Sequence, residues 1–259
     1  MIVDKTSSDG KVSYNDEAHI YWETDKPDLL YTSVTTAIGK FFKKFIADME
    51  NTKKTREKYG MSFEQVVKMW DDYKNESCEY GTEIHWAMEL IMSDRWREVP
   101  ESKLCPVEEY RSYCEWAYNT RYSDTWKEWT PRPEALVYSK KARLAGQADL
   151  PWYNHDKKQI IVTDYKTNRK ELSYNSPFNS RMLEPFETYE AGELMKYGIQ
   201  LAIYSIFLEK EYKGYKVISN IIYHMRHGEV VEIVHSGTIF KFFREIAKQI
   251  IYIYEELHH

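Results

Sequence analysis

Three short segments within residues 134–166 carry side chains that can do chemistry: Glu134, then Gly146-Gln147-Ala148-Asp149, then Asp164-Tyr165-Lys166. On a strand, residues i and i+2 share a face. Asp164 and Lys166 therefore project together just past the apolar run Ile160-Ile161-Val162, while Tyr165 points away and leaves its carbonyl near the same edge. Two carboxylates, Asp149 and Asp164, suit a hard cation that prefers oxygen ligands. Such an ion polarises a phosphate and lowers the pKa of an attacking water. A lysine beside it places positive charge against the phosphorane as charge develops. The chemistry that such a set would serve is phosphodiester hydrolysis. A bare Asp-x-Lys is far more often a same-face salt bridge at a strand end, and it is the upstream Gly-x-x-Asp and Glu134 that shift the balance.

Three strands must deliver these groups. Residues 133–139 (PEALVYS), 143–153 (RLAGQADLPWY) and 158–166 (KQIIVTDYK) read as strands joined by short turns, the clearest being Asn154-His155-Asp156. Glu134 opens the first strand, Asp149 closes GxxD on the second, and Asp164 and Lys166 close the third. Upstream, residues 11–23 read as a hairpin around Asn15-Asp16-Glu17. Ser33, Thr35 and Thr36 in YTSVTT are N-cap candidates for the amphipathic helix that follows. Helical periodicity recurs near 62–75, 79–95 and 106–128. Downstream the pattern gives a helix over 190–210, strands over 215–225 and 229–235, and a last helix over 237–256. The expectation is a hairpin and mainly helical lobe over 1–130, then a mixed α/β core over 131–259, with the change of character at Pro131 and Pro133.

Adding Gly81-Thr82-Glu83-Ile84-His85 and Gln200-Leu201-Ala202-Ile203-Tyr204 completes an ordered series: GxxxH, Glu, GxxD, DYK, QxxxY. It resembles the RecB-like branch of the PD-(D/E)XK nucleases over roughly residues 30–210. The front segment, with YTSVTT at 31–36, KYGMSFEQV at 58–66 and Trp70, is similar to RecB-like exonucleases of phages and large DNA viruses, and more distantly to the mitochondrial genome maintenance exonuclease. The resemblance implies an α/β fold with a restriction-endonuclease-like mixed sheet flanked by helices. It implies Mg2+ or Mn2+ bound by Asp149, Asp164 and the Tyr165 carbonyl, with His85 as a further ligand and Lys166 catalytic. Glu134 orients water or joins the metal shell. Gln200 and Tyr204, one helical turn apart, brace the site or touch the scissile strand, and Ser33 and Thr35 belong to the same supporting or substrate-facing set. Against the ligand role, His85 can instead pair with Glu89 on a helix face.

The formal net charge of -5 argues against nucleic acid only weakly, because a centre that collects carboxylates can keep its cations local. Lys40, Lys43 and Lys44 form one such cluster. Lys53, Lys54, Arg56 and Lys58 form a second, and Lys140, Lys141 and Arg143 a third. Each reads either as a solvated face or as a phosphate track. Cys78, Cys105 and Cys114 offer neither CxxC nor any cysteine after the QxxxY segment, so an iron–sulfur cluster and structural zinc are not expected. No GxxxxGK[ST] occurs, so a helicase or recombination protein would be a separate partner. With no signal-peptide pattern and no apolar run of membrane-span length, the expectation is a soluble, intracellular protein without a membrane partner, in a bacterial or phage-infected cytoplasm. The terminal pair His258-His259 matches the stub of a purification tag and is set aside.

The function expected is a DNA exonuclease of replication, repair or recombination, acting on single strands or a free end. Its rivals are a structure-specific or defence endonuclease and, from another class, a catalytically silent nucleic-acid-binding module.

Overall fold

Alternating apolar and polar side chains at the start of the chain build strands. The structure is a computed structural model that describes residues 5–176 and 179–258, so His259 of the terminal pair lies outside the described residues. The hairpin expected over 11–23 is β2 (Val12–Asn15) and β3 (Ile20–Glu23), widened by β1 (Lys5–Thr6) and β4 (Lys26–Ser33). Ser33 then caps α1 (Val34–Gly39), its Oγ accepting the Thr36 N–H at 3.1 Å. A short α2 (Lys53–Tyr59), which the periodicity did not reveal, precedes α3 (Phe63–Met92).

α3 is one 30-residue helix where the pattern suggested two. Residues 71–79 are exposed all round, so no apolar stripe marks them as helical. The helical backbone runs on through them, with Ser77 and Thr82 bonding back to the carbonyls of Tyr73 and Cys78, and Ser62 and Gln65 closing a capping box at the start. α4 (Val107–Arg121) stops short of residue 128.

The remaining elements are β5 (Thr130–Pro131), β6 (Ala135–Ser139), β7 (Leu144–Ala148), β8 (Leu150–Asn154), β9 (Gln159–Lys166), α5 (Glu193–Glu211), β10 (Lys216–Arg226), β11 (Glu229–His235) and α6 (Gly237–Glu256). The chain is a mixed α/β protein with two mixed sheets and, among the described residues, six α-helices. One sheet has the order β1-β2-β3-β4-β7-β6, with β4 parallel to β7. The other has the order β11-β10-β9-β8-β5, with β10 parallel to β9.

The segment expected as a single strand over 143–153 is β7 and β8, in different sheets, with Asp149 at the break. β5 and β6 change sheets at the same place. Successive side chains of β9 divide two cores: Ile160 and Val162 face the cluster of α1, α5 and α6, and Ile161 and Tyr165 face that of α3 and α4. Among the described residues no helix is long and apolar enough to cross a membrane.

Candidate metal centre

The place where both chain segments change sheets is where the acidic side chains gather. The Glu134 N–H donates to the Asp149 carbonyl at 2.8 Å, tying the two bends together. Glu134 does not open β6. It precedes the strand in the left-handed region, at φ 55°, and this turn aims its carboxylate back toward Asp149. From α3 comes His85, whose Nδ1 lies 3.4 Å from Asp149 Oδ2. That same Oδ2 accepts the Tyr165 backbone N–H at 2.9 Å. One ligand atom from each of His85, Glu134 and Asp149 falls within 4.8 Å of the others, a group able to hold a metal ion. His85 makes no ion pair with Glu89 among the described residues; it meets Asp149 and packs edge-on against the Tyr165 ring at 5.7 Å.

Asp164 and Lys166 share a face of β9, as their spacing requires, and form an ion pair. Asp164 is 1% exposed, and its Oδ1 has no hydrogen-bond partner. Burial, and next the negative charge of Asp149, push the Asp164 carboxyl well above the usual carboxylate range. Burial and Asp149 do the same to Glu134, against the pull of Lys5, whose Nζ is 3.6 Å away. For Lys166, burial alone would lower the pKa, but the charges of Asp164 and Asp149 outweigh it and hold the ammonium. Burial holds His85 below its ordinary value, the neutral state in which an imidazole can bind metal.

Crowded carboxylates that resist ionisation, an orphaned buried oxygen and a neutral histidine fit a divalent cation, which would remove the repulsion that raises them. His85, Glu134 and Asp149 are placed to hold it, with Asp164 adjoining. Tyr165 turns its side chain into the α3–α4 core, stacked on Tyr223, so only its backbone is at the centre.

Gln200 and Tyr204 are buried on α5, where Gln200 Nε2 donates to Tyr204 Oη at 3.0 Å. The Tyr204 ring lies against the backbone of Gly146: a Cβ there would stand 2.6 Å from Tyr204 Cε1. The glycine of GxxD is thus space for the tyrosine of QxxxY. Gly81 of GxxxH likewise lets α3 approach the end of β9, a Cβ there meeting Thr167 Oγ1 at 3.1 Å.

The third basic cluster is not brought to the centre. Lys140, Lys141 and Arg143 occupy the turn at the other end of the β6–β7 hairpin, a strand's length from Glu134 and Asp149. Lys140 pairs with Glu23 and Lys141 with Glu255, at 2.6 and 2.7 Å. Ser33 and Thr35 sit at the start of α1, hydrogen-bonded to each other at 3.2 Å, with Ser33 in register with Ala145 and so four residues before Asp149. Two cations at the site carried no sequence signal. Lys5 reaches Glu134 from an N-terminal strand, and Lys196 on α5 is depressed by burial and then by the charge of Lys166.

No family model matches the chain, and no curated protein matches it. Among solved structures it is similar to SSO0001, at 12% identity and a TM-score of 0.34 over 86% of this chain and 75% of that one. It is also similar to a protein named putative exonuclease from Eubacterium rectale, at 9% identity and a TM-score of 0.44 over 88% and 82%. At such scores neither likeness bears on activity, and the side chains at the sheet junction are what speak to it.

Proposed function

We propose that this chain is a divalent-metal-dependent nuclease of the PD-(D/E)XK type, hydrolysing DNA phosphodiester bonds from a free end. The observation that carries the reading is the convergence of His85, Glu134 and Asp149 beside the Asp164–Lys166 pair. On this reading, residues 131–259 are a restriction-endonuclease-like core, and residues 1–130 add His85 and the strands β1–β4 that extend its β6–β7 sheet. A Mg2+ or Mn2+ ion held by His85, Glu134, Asp149, Asp164 and the Tyr165 carbonyl would supply Lewis-acid polarisation of the phosphate. Lys166 presents its ammonium to the non-bridging oxygens as negative charge builds on them. Asp149 orients His85 and fixes the Tyr165 peptide. Glu134, its pKa raised by burial and by the charge of Asp149, completes the carboxylate set that would hold the ion. Gln200 and Tyr204 keep β7 at its distance through Gly146.

Digestion of matched linear and covalently closed DNA, single- and double-stranded, with Mg2+, Mn2+ or EDTA tests the reading. Linear substrates are degraded only with metal, and Asp164→Ala abolishes cleavage while leaving DNA binding measurable. Activity in chelator by metal-free protein overturns the mechanism, and rapid cutting of closed single-stranded circles replaces the exonuclease with an endonuclease.

A further inference from the structure

The proposed reaction depends on where the Lys166 ammonium points. Asp164 holds it by charge, but Asp164 is also the carboxylate that adjoins the metal centre. With its oxygens shared with a cation, Asp164 holds the lysine less strongly. A second contact carries no charge that a cation could compete for: Lys166 Nζ lies 4.6 Å from the centroid of the Tyr197 ring on α5. A ring face attracts an ammonium without neutralising it, so the full positive charge stays available to a phosphate. A further carboxylate in that position would repel the substrate.

The ring is itself fixed. Tyr197 Oη donates to Asn168 Oδ1 at 3.2 Å, and Asn168 Nδ2 donates to Glu193 Oε1 at 3.5 Å. The Asn168 carbonyl lies 2.8 Å from His224 Nε2. A carbonyl can only accept, so His224 carries its proton on Nε2. His224 is buried and sits on β10 in register with Lys166 itself. The contacts thus run from Lys166 through Tyr197, Asn168 and His224 back to the strand pair that bears Lys166. As a purely structural device, His224 would need only to satisfy the loop carbonyl, and Tyr197 would need no cation above its ring.

We infer that Tyr197, clamped by Asn168 and His224, is a positioning residue that holds the Lys166 ammonium toward the scissile phosphate, an inference resting on the nuclease reading above. The test compares cleavage kinetics at saturating Mn2+ for wild type, Tyr197→Leu and Tyr197→Phe. Protein carrying 13C-labelled lysine reports the Lys166 ε-methylene resonance, assigned through Lys166→Arg. Tyr197→Leu lowers kcat by about 10-fold or more, the scale for residues that support a reacting group. KM and the Mn2+ midpoint stay near wild type, and the Lys166 resonance loses its ring-current shift. Tyr197→Phe keeps the ring and retains most of both. Should Tyr197→Leu fail to fold, Tyr197→Met, which fills much of the space of the ring without its π face, is expected to lower kcat at constant KM. Unchanged kcat in the folded variant, or a Lys166 resonance identical in wild type and Tyr197→Leu, overturns the inference and leaves the nuclease reading standing. A wild type that cleaves no DNA overturns the nuclease reading, and the resonance alone then decides whether Tyr197 holds Lys166.

Discussion

Asp149 Oδ2 lies 3.4 Å from His85 Nδ1 while accepting the Tyr165 N–H at 2.9 Å, so a single carboxylate oxygen joins α3 to the end of β9. Whatever enters between them is bound by parts of the chain that are far apart in sequence, and His85 is the part most easily removed.

His85→Ala takes the one nitrogen from an otherwise oxygen-lined group. Mn2+ accepts imidazole more readily than Mg2+ does. The variant is therefore expected to lose metal affinity, most of its preference for Mn2+ and about 10–100-fold in activity. Metal titrations of cleavage rate, with thermal melts alongside, check this. Unchanged midpoints in a folded protein would take His85 out of the site.

Metal binding is expected to tighten as pH rises. Burial and the charge of Asp149 keep Glu134 and Asp164 protonated well above the usual carboxylate range. An arriving cation must expel those protons, and fewer remain at higher pH. Calorimetry at pH 6 and pH 8, in two buffers of different ionisation enthalpy, should find weaker binding and more protons released at pH 6. Equal affinity with no proton release contradicts the arrangement.

Gly146→Ala is expected to destabilise the protein by about 1–3 kcal/mol, the usual cost of forcing a methyl into a filled space. The new Cβ would meet Tyr204 at 2.6 Å and displace the ring from Gln200. Thermal melts of Gly146→Ala, Tyr204→Leu and the double variant test it: in the cycle the two losses should be strongly non-additive. Additive losses would mean that the glycine serves the backbone alone.

His235 predicts an acid-sensitive fold. Burial lowers its pKa from 6.5 to about 4, and it is wedged against Phe243 with Nε2 3.0 Å from Tyr174 Oη. The unfolded imidazole takes its proton first as pH falls. The stabilising contribution is therefore complete above the unfolded value and is lost on the way down to the folded one, by about 3 kcal/mol at most. His235→Gln should flatten stability against pH in that window relative to wild type, as followed by urea denaturation. Parallel curves would refute the assignment.

The ordered strands and terminal helices are legible in the sequence because burial is written in periodicity, and the DYK spacing alone puts Asp164 and Lys166 on one face. What stays hidden is tertiary. The bend at Asp149 looks in sequence like the middle of one strand, because Leu144 to Tyr153 is continuously buried on both sides of it apart from Gln147 and Asp149. The φ of 55° at Glu134 has no glycine to announce it. Lys5 and Lys196 reach the centre from distant elements, and an isolated lysine carries no pattern. Lys140, Lys141 and Arg143 cluster in sequence because they share the β6–β7 turn, where Lys140 and Lys141 pair with Glu23 and Glu255.

The junction between the sheets also sets when, during synthesis, the centre can exist. Its histidine is made early, on α3; its carboxylates follow from 134 to 164; and the ring beneath Lys166 and the tyrosine that fills Gly146 arrive only with α5. A nascent chain still lacking Tyr197 and Tyr204 therefore holds the acidic groups without the support that aligns them. On the reading proposed above, the centre is aligned only once α5 and β10, which flanks β9, have both been made.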